Sequence, residues 1–294
     1  MRLILAILII AIVAGMMWPN DSIGWNNSDV LEKSGKGIIN WSQGTIQATC
    51  EPLRNNGSIQ KYRPFSAKGD IYWDELLDDV LKTAQSVRID DTIYVSDFVR
   101  ETEAYFSRIK ALVSNSQIVL RTDTKDHTTR ATARMPIFGG FAQLVLPQDI
   151  KQVQTIQLVA PTKNNALTPN HPPNRSKFSL GHPYTGLVVD ARNIGVLPAL
   201  VPIIYDENGN EVYGPAFVSR EFAVQYGLAG YTHSFETALN HIRVNDNPLI
   251  VKGLRLHASG PCNIVISNMD ASRIRSTCEH LSFFRECHVM IVLD

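Results

Sequence analysis

Few side chains in this sequence are of a type and spacing that could do chemistry, and their pattern excludes more than it supports. The eight histidines (127, 171, 182, 233, 241, 257, 280 and 288) form no H-x-H or H-E-x-x-H and do not pair with the four cysteines at ligand spacing. A metal site, which needs three or four convergent N, S or O donors, therefore has no linear signature. G-x-S-x-G, G-x-x-x-x-G-K-[ST] and G-x-G-x-x-G after a strand are all absent, so nothing marks a serine nucleophile, a phosphate-cradling loop or a dinucleotide site. No catalytic residue, metal or cofactor is expected. Asp78-Asp79 and Asp90-Asp91 are adjacent carboxylates, but neighbours in sequence point apart, and acid–base work needs a convergent pair. They read as solvated charges.

One pair keeps a functional reading. Asp190 and Arg192 close the apolar run Thr185 to Val189. Alternate residues of a strand share a face, and the carboxyl ends of strands in open α/β sheets are where ligands bind. The pair is either a ligand or partner contact or a structural ion pair that orders the following turn. Asp190→Asn separates the two: a cost confined to melting temperature marks the ion pair, a lost partner at unchanged melting marks the site.

The strongest address in the chain is its start. Arg2 is followed by an unbroken apolar run of 16 residues, Leu3 to Trp18. Its core fits the roughly 7 to 15 residues of a signal-peptide h-region, with small residues before a cut near residue 15. The whole run falls short of the ~20 residues of a comfortable membrane span, although Trp18 suits an interfacial anchor. Residues 1–18 are thus a signal peptide or an inner-membrane anchor, and either sends the protein to the periplasm or cell envelope. No cysteine lies near residue 15, so a lipid-modified N-terminal cysteine is not expected.

The composition is that of a folded protein, with 44% hydrophobic and 19% charged residues. Twenty-eight basic residues balance 28 acidic ones, which gives no electrostatic footprint for nucleic acid. Residues 19–37 are polar and read as a spacer. Residues 161–183 hold five prolines among Asn and Ser, which resist helix and ladder alike, and read as a linker. They divide an α+β domain at 38–160 from an α/β domain at 184–294.

In the first domain, Ile39, Trp41, Ile46, Ala48 and Cys50 alternate as one strand with a bulge at Gly44 where the phase slips. Trp73 to Val87 and Val95 to Val113 repeat apolar residues at helical spacing, with Asp70 and Ser96 or Asp97 as caps. Gln117 to Thr122 and Thr129 to Met135 then form strands across a turn at Thr124 to His127, with Phe141 to Leu146 as a further strand. The expectation is an antiparallel sheet covered by two helices.

Asn40-Trp41-Ser42-Gln43-Gly44-Thr45-Ile46-Gln47-Ala48-Thr49, the paired helices and Met135-Pro136-Ile137-Phe138-Gly139-Gly140 resemble the outer-membrane lipoprotein family that includes the flagellar motility protein FlgP. The likeness spans about residues 38–147. It implies a bacterial envelope protein with an assembly role, in a surface or flagellar structure. Family members carry a lipobox cysteine and usually a glycine where Cys50 stands; this chain has neither, so lipid anchoring is not carried over.

The second domain opens with the strand Thr185 to Arg192, then Pro198 to Asp206 as another, and Asp206 to Asn210 reads as a hairpin turn in which both Asn208 and Gly209 need positive φ. Helical stretches near Ser219 to Tyr226 and Phe235 to Ile242 precede strands at Leu249 to His257 and Cys262 to Ile266. Thr185 to Arg192, Pro198 to Pro202 and Asp206 to Gly214 are similar to a stretch of secreted bacterial proteins that carries no known activity; Asn193 stands where a glycine is expected after the arginine. The last unit is a helix capped by Ser267 or Asn268, with Ala271, Ile274, Cys278 and Leu281 as its buried stripe, followed by the strand His288 to Asp294. Strand, helix and strand imply a right-handed crossover between parallel strands, and a mixed sheet. If those strands are neighbours, Cys262 and Cys287 come within reach of a disulfide, worth roughly 3 kcal/mol on the chain-entropy view. The alternative is that all four cysteines are unpaired.

The fold class expected is therefore α+β in two domains. The expected function is a non-enzymatic envelope protein whose partners are envelope or outer-membrane protein components, with self-association into a homo-oligomer and membrane contact through an uncleaved N-terminus also open. The alternatives are an exported enzyme, such as a hydrolase, or a periplasmic ligand-binding module built on the second domain. A deep polar cleft with clustered titratable groups would favour the enzyme, and a shallow surface with an exposed apolar patch the assembly role.

Overall fold

A computed structural model describes residues 26–50, 71–122, 129–148, 150, 184–276 and 280–294. The leader at 1–18, the Asp70 cap, the turn at 124–127, the linker at 161–183 and Cys278 lie outside the described residues. Among the described residues no helix is long and apolar enough to cross a membrane.

The first domain is a five-stranded antiparallel sheet in the order β1-β2-β3-β5-β4, made of β1 (Leu31–Ser34), β2 (Gly37–Asn40), β3 (Thr45–Thr49), β4 (Gln117–Thr122) and β5 (Thr129–Pro136). Two expectations change here. Leu31–Ser34, assigned to the spacer, pairs with Gly37–Asn40. The phase slip at Gly44 is a hairpin turn between β2 and β3, not a bulge, and Gly44 makes it at φ 61. A turn and a bulge both break a period-2 pattern, and only the pairing partner tells them apart.

α1 (Ile71–Gln85) lies across β3, β2 and β5. It buries Leu76, Val80, Leu81 and Ala84 against Ile39, Ile46 and Ala48, as its 3.6 spacing requires. The expected second helix is two, α2 (Val95–Glu101) and α3 (Glu103–Ser114), because Thr102 between them is extended at φ −151 and ψ 123. A β-branched residue gives up helical geometry at small cost. Asp97 caps α2 from inside, its carboxylate accepting the Tyr94 amide at 2.8 Å. Phe141 to Leu146, expected as a strand, belongs to α4 (Gly140–Val145). Gly139 at φ 86 turns the chain there, and Phe141, Ala142 and Val145 are then buried on one helical face.

The second domain holds a seven-stranded mixed sheet in the order β8-β7-β11-β10-β6-β12-β9. Its strands are β6 (Gly186–Asp190), β7 (Ile204–Tyr205), β8 (Glu211–Tyr213), β9 (Gly230–Thr232), β10 (Pro248–Leu256), β11 (Ile264–Ile266) and β12 (Val289–Val292), with α5 (Arg220–Tyr226), α6 (Phe235–Leu239), α7 (Asn268–Ser276) and α8 (His280–Arg285) between them. Only Ile204 and Tyr205 of the expected strand Pro198 to Asp206 join the sheet. Of the turn Asp206 to Asn210, Gly209 alone has positive φ, at 81. The Asp206 carboxylate holds it by accepting the amides of Asn208 at 3.0 Å and Asn210 at 2.9 Å, which is a longer loop than a two-residue turn. Asn193 is left-handed at φ 66, a conformation Asn tolerates in place of glycine.

β10, β6, β12 and β9 run parallel to one another, and β11 runs antiparallel to β10. β11 and β12 therefore point in opposite directions, with β10 and β6 between them, so the C-terminal strand-helix-strand unit spans the sheet instead of joining parallel neighbours. On one face Leu187, Val189, Val251, Ile264 and Ile291 enter an apolar cluster that continues into the first domain; on the other, Val188, Met290 and Val292 form a smaller cluster under α6.

Candidate functional site at the carboxyl ends of the parallel strands

β6 delivers Asp190 to the carboxyl end of the parallel block, opposite Val292 of β12 on one side and Lys252 of β10 on the other. The chain turns back at once, and Arg192 closes on Asp190 with both arms of its guanidinium, Nε to Oδ1 at 2.7 Å and Nη2 to Oδ2 at 2.7 Å. The guanidinium also lies 5.4 Å from the centre of the Phe235 ring at the start of α6, a cation–π placement. Asp294 accepts the Asn193 amide. Hydrogen bonding by Arg192 holds the Asp190 carboxyl below its ordinary value, against a smaller opposing effect of burial. Both carboxylate oxygens are engaged by a side chain two residues away, so the arrangement orders the turn at 190–193, while Lys252 is exposed and Phe235 packs partly buried against the smaller apolar cluster.

The two cysteines proposed for a bridge are not brought together. Cys262 precedes β11 and Cys287 precedes β12, with β10 and β6 between those strands, and both are free thiols buried at 0% exposure. Burial pushes each thiol up to about 12, which makes them unreactive at neutral pH.

A second cluster escapes a linear reading altogether. Asp91 is not a solvated charge: its Oδ1 accepts the Cys262 amide at 2.7 Å and its Oδ2 the Ser259 hydroxyl at 2.7 Å, and Asn263 Nδ2 donates to the same carboxylate. His257 Nδ1 stands 2.9 Å from Ser259 Oγ, and Tyr205 stacks on the imidazole with ring centres 4.0 Å apart. Aspartate, serine and histidine are thus assembled, but in the order Asp–Ser–His. A hydrolytic triad needs histidine between the other two, so that the hydroxyl proton passes to imidazole. Here the single Ser259 proton is given to Asp91, and the cluster ties residues 257–263 to the first domain. No spacing rule could have found it, since its partners lie 168 or more positions apart.

Among the described residues no group of three His, Cys, Asp or Glu side chains could hold a metal ion. An open groove of about 470 Å³ runs between α3 and α4, past Tyr105, Leu112, Asn115, Gly140 and Gln143, and among the described residues Arg108 is the only charged one that lines it. No acid–base pair lines it among the described residues. No curated protein matches the chain. Residues 186–294, which begin at the first residue of β6 and include all seven strands of the mixed sheet, match a family model described as the second domain of Treponema pallidum Tp0624.

Proposed function

We propose that the chain is a non-enzymatic protein of the bacterial cell envelope with a structural or assembly role, held by protein components of the envelope or outer membrane. The observation that carries this reading is the open face of β10. That strand lies in the middle of the mixed sheet, yet Ile250 and Leu254 are 45% and 44% exposed on either side of Lys252. Central strands next to parallel neighbours are ordinarily covered on both faces, and exposed apolar surface rimmed by charge marks a place where another protein sits. The apolar leader at 3–18 supplies the address. The resemblance of residues 38–147 to the FlgP-containing lipoprotein family makes a flagellar or motility structure the first assembly to examine.

A periplasmic ligand-binding module is the second reading, and the observation that favours it is the place of Asp190 and Arg192 at the carboxyl ends of β6 and its neighbours. Cell fractionation of the tagged full chain, with N-terminal sequencing and pull-down, tests the first reading. Recovery in the membrane fraction with co-purifying envelope proteins is the expected result, with Met1 intact for an anchor or a new terminus near residue 15 for a cleaved leader. A lone soluble species that turns over a substrate would overturn it.

A further inference from the structure

We infer that the first domain carries a protein-recognition surface whose partner is a module of the kind formed by residues 184–294, and that this chain fills it with its own second domain. The inference stands apart from the envelope role, since it concerns how the two domains hold each other wherever the protein is located.

The surface is built by two short stretches that the first sheet brings side by side, the turn Trp41 to Gly44 and the strand end Ile137 to Gly140, joined by the Ile137 amide donating to the Gly44 carbonyl at 2.8 Å. Ser42 Oγ accepts the Val30 amide at 2.8 Å and donates to the Tyr231 carbonyl of β9 at 2.7 Å. Trp41 meets the Tyr231 ring edge-on at 6.1 Å. Phe138 inserts between two left-handed glycines, Gly44 at φ 61 in the first domain and Gly227 at φ 75 after α5. A Cβ on either would stand 2.2 Å or 2.4 Å from its ring. The adjacent Gly139 amide donates to the Val224 carbonyl at 2.7 Å. Only glycine admits a ring at that distance in that conformation, so each domain supplies half of the Phe138 slot.

Two further patches flank this centre. Arg88, 6% exposed, donates to the Pro198 carbonyl at 2.9 Å, while Arg88 and Ile89 carbonyls accept the Leu200 and Val201 amides at 3.1 Å and 2.8 Å. Arg220 reaches back from α5 to the Pro147 carbonyl at 2.6 Å. None of these contacts uses residues 151–183, the only covalent connection between the domains. Directed hydrogen bonds thus cross between the domains at three separate patches beside the shared Phe138 slot, as in a specific interface rather than the loose contact of tethered neighbours. The family model that the second module matches begins at residue 186.

The test is a full-length chain with a protease site placed within residues 161–183, folded intact and then cut. The two pieces are expected to co-elute as a 1:1 complex at ~1 µM, a concentration at which only an interface of micromolar affinity or better survives. They are also expected to exchange with pieces of an isotope-labelled, separately cut copy. Phe138→Ala, and the milder Ser42→Ala, should weaken retention of the cut complex at least ~10-fold while the uncut chain keeps its circular dichroism. Separation of the native pieces on cutting would overturn the inference, as would equally tight retention in both variants.

Discussion

Asp91 of the first domain and the amide of Cys262 in the second are 2.7 Å apart, and the same carboxylate takes the Ser259 hydroxyl at 2.7 Å. A charged acceptor shared among several donors at a domain seam is worth more than an ordinary hydrogen bond, because its removal leaves those donors without a partner. Asp91→Ala is expected to destabilise the protein by about 2 kcal/mol, measured by denaturant unfolding. A loss no greater than that of an exposed Asp→Ala change would contradict the role given to it.

The Phe138 slot predicts coupling between Gly227 and Phe138 across the two domains. Gly227→Ala places a Cβ 2.4 Å from the Phe138 ring at a backbone φ of 75, and should cost at least about 2 kcal/mol from strain and displacement of the ring. In the Phe138→Ala background the clash vanishes and only the backbone strain remains. A double-mutant cycle is therefore expected to be non-additive by about 1 kcal/mol or more; additive values would show that the ring does not fill the slot.

Asp190 and Arg192 make a bidentate pair whose side chains are 21% and 43% exposed. Exposure and screening keep the contribution of such a pair small. Asp190→Asn should lower the melting temperature by a few degrees, an effect that shrinks at high salt in wild type. Loss of a co-purifying partner at unchanged melting would assign the pair to a binding site.

Acid sensitivity follows from Asp206, which is 2% exposed. Burial opposes its charge, but hydrogen bonds from Asn210 and Arg275 outweigh that and lower it from 3.8 to about 2. A folded value below the unfolded one means that its contribution is complete above the unfolded value and is lost as pH falls from about 3.8 toward about 2. Asp206→Asn should lower stability at neutral pH and flatten this part of the acid limb. An unchanged acid limb would remove Asp206 from the account.

Cys262 and Cys287 should resist iodoacetamide in the native protein at neutral pH and react fully on unfolding, because burial pushes both thiols up to about 12. Mass spectrometry of the purified chain is expected to find no 262–287 bridge.

Elements with strong local periodicity were legible in the sequence: α1, the buried runs of β6 and β12, and the two-sheet α+β layout itself follow from patterns of 3.6 and 2. Where a short apolar run carried no period, tertiary context decided, as at Phe141 to Val145, which Gly139 turns into α4. The C-terminal crossover misled because handedness rules apply to parallel strands of one sheet, and β11 is antiparallel to the strands beside which β12 lies. Asp91 was misread because it finds its partners across the fold, at 259–263, and a linear pattern sees only neighbours. Asp190 and Arg192 meet because they lie two residues apart where the chain turns at the end of β6.

The central claim is that the open face of β10 is covered by an envelope protein. Site-specific photo-crosslinking from position 254 in living cells, with the exposed position 207 in the turn between β7 and β8 as the control, tests it most directly. The account predicts a discrete, ultraviolet-dependent adduct with an envelope protein from position 254 and none from 207. Absence of any adduct at 254, with the protein present at normal level, would contradict it.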